Sequence, residues 1–157
     1  SLVFEGRDAE TTVSEILAND DLMNYQDLAQ ARIDSVRETL KVSAGLTDGD
    51  FVEVPVLYEY IVEGGGWGSN GVDMAVAYNP GIQNLVIADT TLFIPDPEGP
   101  KRNGLDVWQE QTRESLSGLG FELHFVDVFR SYHEQFGEAH CGTNLERTPS
   151  MTPWWEM

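Results

Sequence analysis

The sequence predicts an α/β fold assembled from ββαβ units. Three observations carry this expectation. Residues 73–126 read strand, strand, helix, strand, as the hydrophobic spacing changes from alternation to near 3.6 and back. Residues 25–57 read helix then strand, the closing half of a similar unit. Hydrophobic residues make up 41% of 157 positions, enough to build a core and too many for a disordered chain.

Residues 1–10 carry no clear pattern. Thr12 and Glu15 have the spacing of a capping box ahead of Ile16 and Leu17, which predicts a short helix to about Ala18. Asn19-Asp20-Asp21 breaks it. Tyr25, Leu28, Ala29, Arg32, Ile33, Val36 and Leu40 then recur at helical spacing, apolar apart from Arg32, and predict a helix over 25–44 that stops at Gly45. Thr47-Asp48-Gly49-Asp50 is turn chemistry. Residues 51–57 read as a strand that Pro55 bends or holds near an edge.

Residues 63–72 form a Gly-rich loop with Trp67 near its tip. No Lys-Ser/Thr follows the glycines, so it is not a phosphate cradle. Met74–Tyr78 and Leu85–Ala88, around Asn79-Pro80-Gly81, read as a hairpin, and the unbroken run 85–88 predicts burial on both faces. A Pro-rich loop occupies 95–100, where Asp96 and Glu98 read as solvated charges. Residues 105–117 suit a helix with Leu105, Trp108, Thr112 and Leu116 on one face, ended by Gly118 and Gly120. Phe121, Leu123 and Phe125 alternate with Glu122 and His124 in a half-buried strand.

The formal net charge is −18, from 27 acids against 9 bases. Such a surface repels phosphate backbones and excludes nucleic acid as an expected partner. It attracts cationic ligands such as arginine-rich peptides, although solubility alone explains most acidic proteins. No apolar run approaches the roughly 20 residues that span a bilayer, so no membrane role is expected. One cysteine makes no disulfide within the chain, and no Cys/His cluster has zinc spacing. Nothing in the residues fixes the compartment, cytoplasmic or secreted.

That cysteine lies in Gly137-Glu138-Ala139-His140-Cys141-Gly142-Thr143-Asn144. Gly137 and Gly142 suggest backbone room around a thiol that must reach a substrate. The alternative is a buried structural cysteine. His140 is adjacent, but in an extended segment neighbouring side chains face opposite ways, which turns it from the sulfur. Asn144 suits fixing the turn behind Cys141.

Three segments resemble the protein-arginine deiminases. Residues 84–100 are similar to the family's hydrophobic strand followed by an Ile-Pro-x-Pro-x-Gly-Pro loop. Residues 126–144 are similar to its segment leading to Gly-Glu-x-His-Cys-Gly-Thr-Asn, and Trp154-Trp155-Glu156-Met157 to its Trp-Trp-x-Met close. The resemblance implies the pentein fold, in which ββαβ modules surround a central site; 157 residues hold roughly two of five, so another chain or upstream part would complete the ring. It implies that residues 1–157 are the C-terminal portion of the catalytic domain.

The resemblance further implies hydrolysis of arginine in proteins or peptides to citrulline, with Cys141 as nucleophile. The family's general acid/base histidine sits in a His-x-Asp motif. None of His124, His133 and His140 has Asp two positions later, so the catalytic His and Asp are expected outside this chain, as a separate chain in a processed heterodimer or as an upstream part. Candidate substrate-binding residues are Gln135, Phe136, Gly137 and His140. Animal deiminases commonly carry Arg and His where Gln135 and Phe136 stand, which bears on recognition of a peptide rather than on thiol chemistry. Calcium is an expected cofactor by resemblance, its ligands outside this chain, which itself offers no metal site. Trp154 and Trp155 favour packing of the C-terminus. Two other readings stay open: a pentein hydrolase of free arginine or a small guanidino compound, and a non-catalytic acidic binding or assembly module.

Overall fold

A computed structural model describes residues 1–61, 74–146 and 151–152. The predicted Gly-rich loop at 63–72 and Trp154–Trp155 lie outside the described residues. What is described is a mixed α/β arrangement with four small sheets and no closed barrel.

The N-terminal ten residues, patternless in sequence, form a structured arm. Strand β1 (Leu2–Val3) pairs antiparallel with β2 (Thr11–Thr12), and Val3 and Phe4 are buried. Helix α1 (Val13–Ala18) begins at the predicted capping box: Thr12 Oγ1 accepts from Glu15 N, and Glu15 accepts from Thr12 N. Asn19 ends one helix and starts the next. Its backbone N–H reaches Ile16 O at 3.2 Å, while its side chain accepts from Leu22 N at 3.0 Å. Helix α2 therefore runs from Asp20 to Ala44, five residues earlier than the hydrophobic spacing predicts. Asp20 and Asp21 do not break it. They occupy its first turn, where carboxylates suit the helix dipole. Gly45 closes it at φ 70°, as expected.

The first packing centre joins these elements: Val3, Phe4, Ile16 and Leu22 close around Phe129. Beyond Leu22, α2 meets the described chain through Tyr25 on the Tyr60 ring and through Arg37 and Lys41, which reach Asp48. Leu28, Ile33, Val36 and Leu40 are 40% or more exposed on its predicted apolar face.

Residues 51–57 are not a strand. Pro55 has no N–H, and Leu57 N–H goes to the side-chain oxygen of Asn79 at 2.7 Å instead of to a ladder. The strand starts afterwards, as β3 (Tyr58–Ile61), antiparallel to β4 (Met74–Ala77). Gln26 of α2 ties to it, accepting from Tyr58 N and donating to Tyr58 O. The expected hairpin of 74–78 with 85–88 is thus corrected. Asn79, Pro80 and Gly81 are buried and separate two sheets rather than joining two strands of one.

The three-stranded sheet has the order β5 (Val86–Ala88), β6 (Thr91–Pro95), β9 (Glu122–Val126), with β5–β6 antiparallel and β6–β9 parallel. Between β6 and β9 lie the short pair β7 (Lys101–Arg102) and β8 (Leu105–Asp106) and helix α3 (Val107–Ser115). Strand, strand, helix, strand is therefore present, with Thr91–Pro95 supplying the second strand. Leu92, Ile94, Ile82 and Leu116 form the second packing centre on one face. Val86 is buried on the other, but Ile87 is 47% exposed, so the run 85–88 is not covered on both sides. Helix α3 is capped by Asp106, which accepts from Trp108 N and Gln109 N, and Leu105 belongs to β8, so the helix begins two residues after its predicted start. Thr112 is fully buried on the predicted face.

Candidate active site

The chain leaves β9 at Val126 and enters a series of tight turns. Val128 O receives Tyr132 N and His133 N, Phe129 O receives Glu134 N, and Tyr132 O receives Gln135 N and Gly137 N. Two short 3-10 turns result, His133–Gln135 and His140–Gly142. Phe129 anchors the first in the N-terminal cluster, at 5.5 Å from the Phe4 ring and under the Arg7 guanidinium at 5.1 Å. Ala139, Val128 and Val86 pack together and hold the second against β5.

Cys141 is a free, exposed thiol on the second turn, which removes the buried structural cysteine from consideration. The segment is a helical turn, not the extended chain expected, so the argument that turned His140 away from the sulfur by strand alternation does not apply. His140 is exposed. The hydrogen bond on Sγ among the described residues comes from Asn84, whose side-chain amide donates at 3.6 Å. Asn84 also accepts His140 N–H on its backbone carbonyl at 3.2 Å.

Glu138 is the brace of the segment. It is 6% exposed, and its Oε1 accepts Gly81 N–H at 3.0 Å and the His133 ring at 2.9 Å. Its Oε2 is buried without a partner among the described residues. Gly81 begins the turn that ends in Asn84, closed by Asn84 N–H to Gly81 O at 2.9 Å. The thiol turn and the 81–84 turn are therefore tied by side-chain and backbone bonds across 57 residues of sequence.

Gly142 does not leave open room beside the thiol. A β-carbon on Gly142 would fall 2.3 Å from the Tyr132 ring, and one on Gly137 would make ordinary contact with Tyr132 and with the Cys141 β-carbon. Small size lets Tyr132 lie against the turn. Thr143 closes the turn through its N–H and hydroxyl on His140 O, the role expected of Asn144. Gln135 and Phe136 are exposed, with Phe136 in the left-handed region at φ 59°. Gly137 is partly buried.

The charges of the Pro-rich loop are corrected as well. Glu98 is not solvated: its carboxylate takes the Arg7 guanidinium on both oxygens, and Arg7 also reaches Asp127 at 2.7 Å. The guanidinium holds the Asp127 carboxyl below its ordinary range, and both carboxylates raise Arg7. Asp96 accepts from Gln109 Nε2 and Glu98 N. These groups fix the loop after β6 to α3 and to the N-terminal arm.

No group of three or more His, Cys, Asp or Glu able to hold a metal occurs among the described residues. Sequence reading missed Asn84, Glu138 and Tyr132 as parts of the centre. The signal for Glu138 was present, as an acid three residues before the thiol in a stretch of small residues.

Asn84, from the first of the segments that carry the resemblance, thus meets the thiol turn of the second. The family model described as protein-arginine deiminase (PAD) matches residues 2–156. The chain is 37% identical to mouse protein-arginine deiminase type-3 over all of its length and 23% of that protein's. It is 36% identical to the rat type-4 enzyme, over 99% of this chain and 23% of the relative. It is 35% identical to the human type-1 enzyme, over 98% and 22%. The chain thus spans less than a quarter of the length of the curated relatives it matches. On a match that runs from Leu2 to Glu156 and includes the exposed thiol turn, the chain belongs to the protein-arginine deiminase family.

Proposed function

We propose that this chain is the nucleophile-bearing portion of an enzyme that hydrolyses arginine in proteins or peptides to citrulline and ammonia. The observation that carries the reading is the exposed Cys141 thiol on a braced turn, within a sequence of this family. The thiolate attacks the guanidinium carbon and forms a C–S bond. The tetrahedral adduct expels ammonia, protonated by a general acid, and leaves a thiouronium. Water then adds to the same carbon, losing one proton to a general base, and the C–S bond breaks with its electron pair returning to sulfur while the added hydroxyl gives its second proton to solvent. The neutral ureido group is released.

A planar guanidinium calls for paired carboxylates, and protonation of ammonia calls for an acid/base group. His133 is engaged by Glu138, and no histidine hydrogen-bonds Sγ among the described residues. The catalytic His and Asp are therefore assigned to a part of the enzyme outside this chain, in the same polypeptide or in a processed partner, which also completes the pentein ring and carries any calcium ligands. Gln135, Phe136, Gly137 and His140 border the thiol turn and are assigned to substrate contact.

A second reading, a free guanidino compound as substrate, draws on Gln135. It is exposed and uncharged where a charged clamp on a peptide backbone would suit a protein substrate.

The test is intact-mass analysis of the full-length protein after a chloroacetamidine probe, with citrulline assay on an arginine peptide and on free arginine. Labelling at Cys141 and citrulline from the peptide, both lost in Cys141→Ala, are expected. An active Cys141→Ala variant, or a wild type that forms citrulline from neither substrate, overturns the reading. Citrulline from free arginine alone selects the second.

A further inference from the structure

We infer that Asn84 is a working member of the centre, donating its side-chain N–H to the Cys141 thiolate when that thiolate enters and when it leaves the reaction. The inference rests on Cys141 being the nucleophile. Three bonds motivate it. Gly81 N–H to Glu138 Oε1 at 3.0 Å and His140 N–H to Asn84 O at 3.2 Å fix the backbone of Asn84 beside the thiol turn. With the backbone held, the amide nitrogen stands 3.6 Å from Sγ.

The chemistry of that contact is asymmetric. A primary amide nitrogen donates and does not take up a proton, so Asn84 is not a base for the thiol. A thiolate accepts a hydrogen bond better than a thiol does, so the donor favours the ionised sulfur over the protonated one. In the tetrahedral adduct and the thiouronium the sulfur is a poor acceptor, bonded to carbon and without its negative charge. The contact is therefore strongest at two points of the cycle. Before attack it fixes the direction of the sulfur. In the last step, water adds to the thiouronium carbon, its two protons go to the base and to solvent, and the C–S pair returns to a sulfur that faces a waiting donor. The leaving group is stabilised as it forms.

A residue that only packed the turn would do neither. Glu138 and the His140 backbone already brace the segment, so the side chain of Asn84 can be changed while the carbonyl that receives His140 stays in place.

The experiment compares wild type, Asn84→Leu and Asn84→Asp in the full-length protein, with circular dichroism to check folding. Iodoacetamide, an uncharged probe, alkylates Cys141 at neutral pH and again near about pH 10, where cysteine thiols are ionised. Removal of one hydrogen bond to a charged group predicts a loss of about tenfold in alkylation rate at neutral pH and convergence of the rates at high pH. Asn84→Asp, of equal size but with a carboxylate that repels the thiolate, slows at least as much, and it stands in if the Leu variant fails to fold. In turnover, kcat falls and KM is nearly unchanged, because the amide touches sulfur rather than substrate.

Unchanged alkylation in a folded variant overturns the inference. So does equal slowing at both pH values, which would mean lost access rather than a lost donor. If the pH-dependent slowing is found but wild type makes no citrulline, the deimination reading fails while the donor role of Asn84 stands.

Discussion

The Tyr132 ring lies where a side chain on Gly142 would begin, 2.3 Å from the position of its β-carbon. Gly142 follows the thiol directly, so the ring and the thiol meet at one turn. Gly142→Ala forces one of them to move. We expect a stability loss of about 1–3 kcal/mol and a fall in citrulline formation on the order of a hundredfold, with Cys141 itself unaltered. Tyr132→Ala in the same background should restore part of the activity. A Gly142→Ala protein with normal turnover would show that the turn accommodates the clash without cost to the sulfur.

Glu138 carries two donors on one buried oxygen, from Gly81 and from the His133 ring. Glu138→Ala leaves both donors without an acceptor and should destabilise by about 2–4 kcal/mol. It should also unfasten the thiol turn from the 81–84 turn. Glu138→Gln keeps an acceptor oxygen and should lose less. Urea midpoints for the three proteins, with the rate of Cys141 alkylation, check both expectations; equal midpoints would show that the brace is dispensable.

Asp106 begins α3 by accepting from Trp108 N and Gln109 N at 2.8 and 3.0 Å. Burial pushes its carboxyl above the ordinary range, against the downward pull of those N–H groups. An acid whose folded value is raised binds more protons folded than unfolded, so its contribution to stability declines as pH rises from the unfolded value of about 4 through the folded one. Asp106→Asn keeps the acceptor without the charge, and thermal midpoints should show the wild type losing ground to it across that window. Asp106→Ala loses the cap, at about 1 kcal/mol. A wild type and Asn variant that run parallel with pH would remove the burial argument.

Asp127 runs the other way. The Arg7 guanidinium, hydrogen-bonded to it, holds its carboxyl low. A depressed acid adds stability above its unfolded value of about 4, and loses it as pH falls through the folded value. Asp127→Asn should therefore be less stable than wild type at neutral pH and equal to it in strong acid. Because the Asp127 side chain is 62% exposed, solvent screening keeps the difference within about 1 kcal/mol. Thermal midpoints from pH 2 to 7 test the sign, and a gap that widened in acid would contradict it.

Local signals in the sequence proved sufficient where the deciding contacts are local. The spacing of Thr12 and Glu15 places α1, Gly45 closes α2, and the alternation from Phe121 to Phe125 places β9. Reading failed where a distant group decides. Residues 51–57 look like a strand until Leu57 N–H is seen to be taken by Asn79, and 74–78 looks like one arm of a hairpin until β3 claims it. Asp20 and Asp21 look like breakers because Asn19, as a cap, converts them into a first helical turn. At the candidate site, the motif 137–144 marks the thiol turn. Its neighbours Asn84 and Tyr132 have no local signature, since one arrives across 57 residues and the other acts by filling the space that Gly142 leaves.

The span from Asn84 to Cys141 also shows what the centre depends on. Closing a loop of that length costs about 3.6 kcal/mol of chain entropy beyond a constant, more than a single contact to sulfur returns. The ends are held together because β5, β6 and β9 pair and set Val86 against Val128 and Ala139. The amide neighbour of the thiol is thus a by-product of the sheet, and a change that loosens the sheet reaches the thiol turn without touching it.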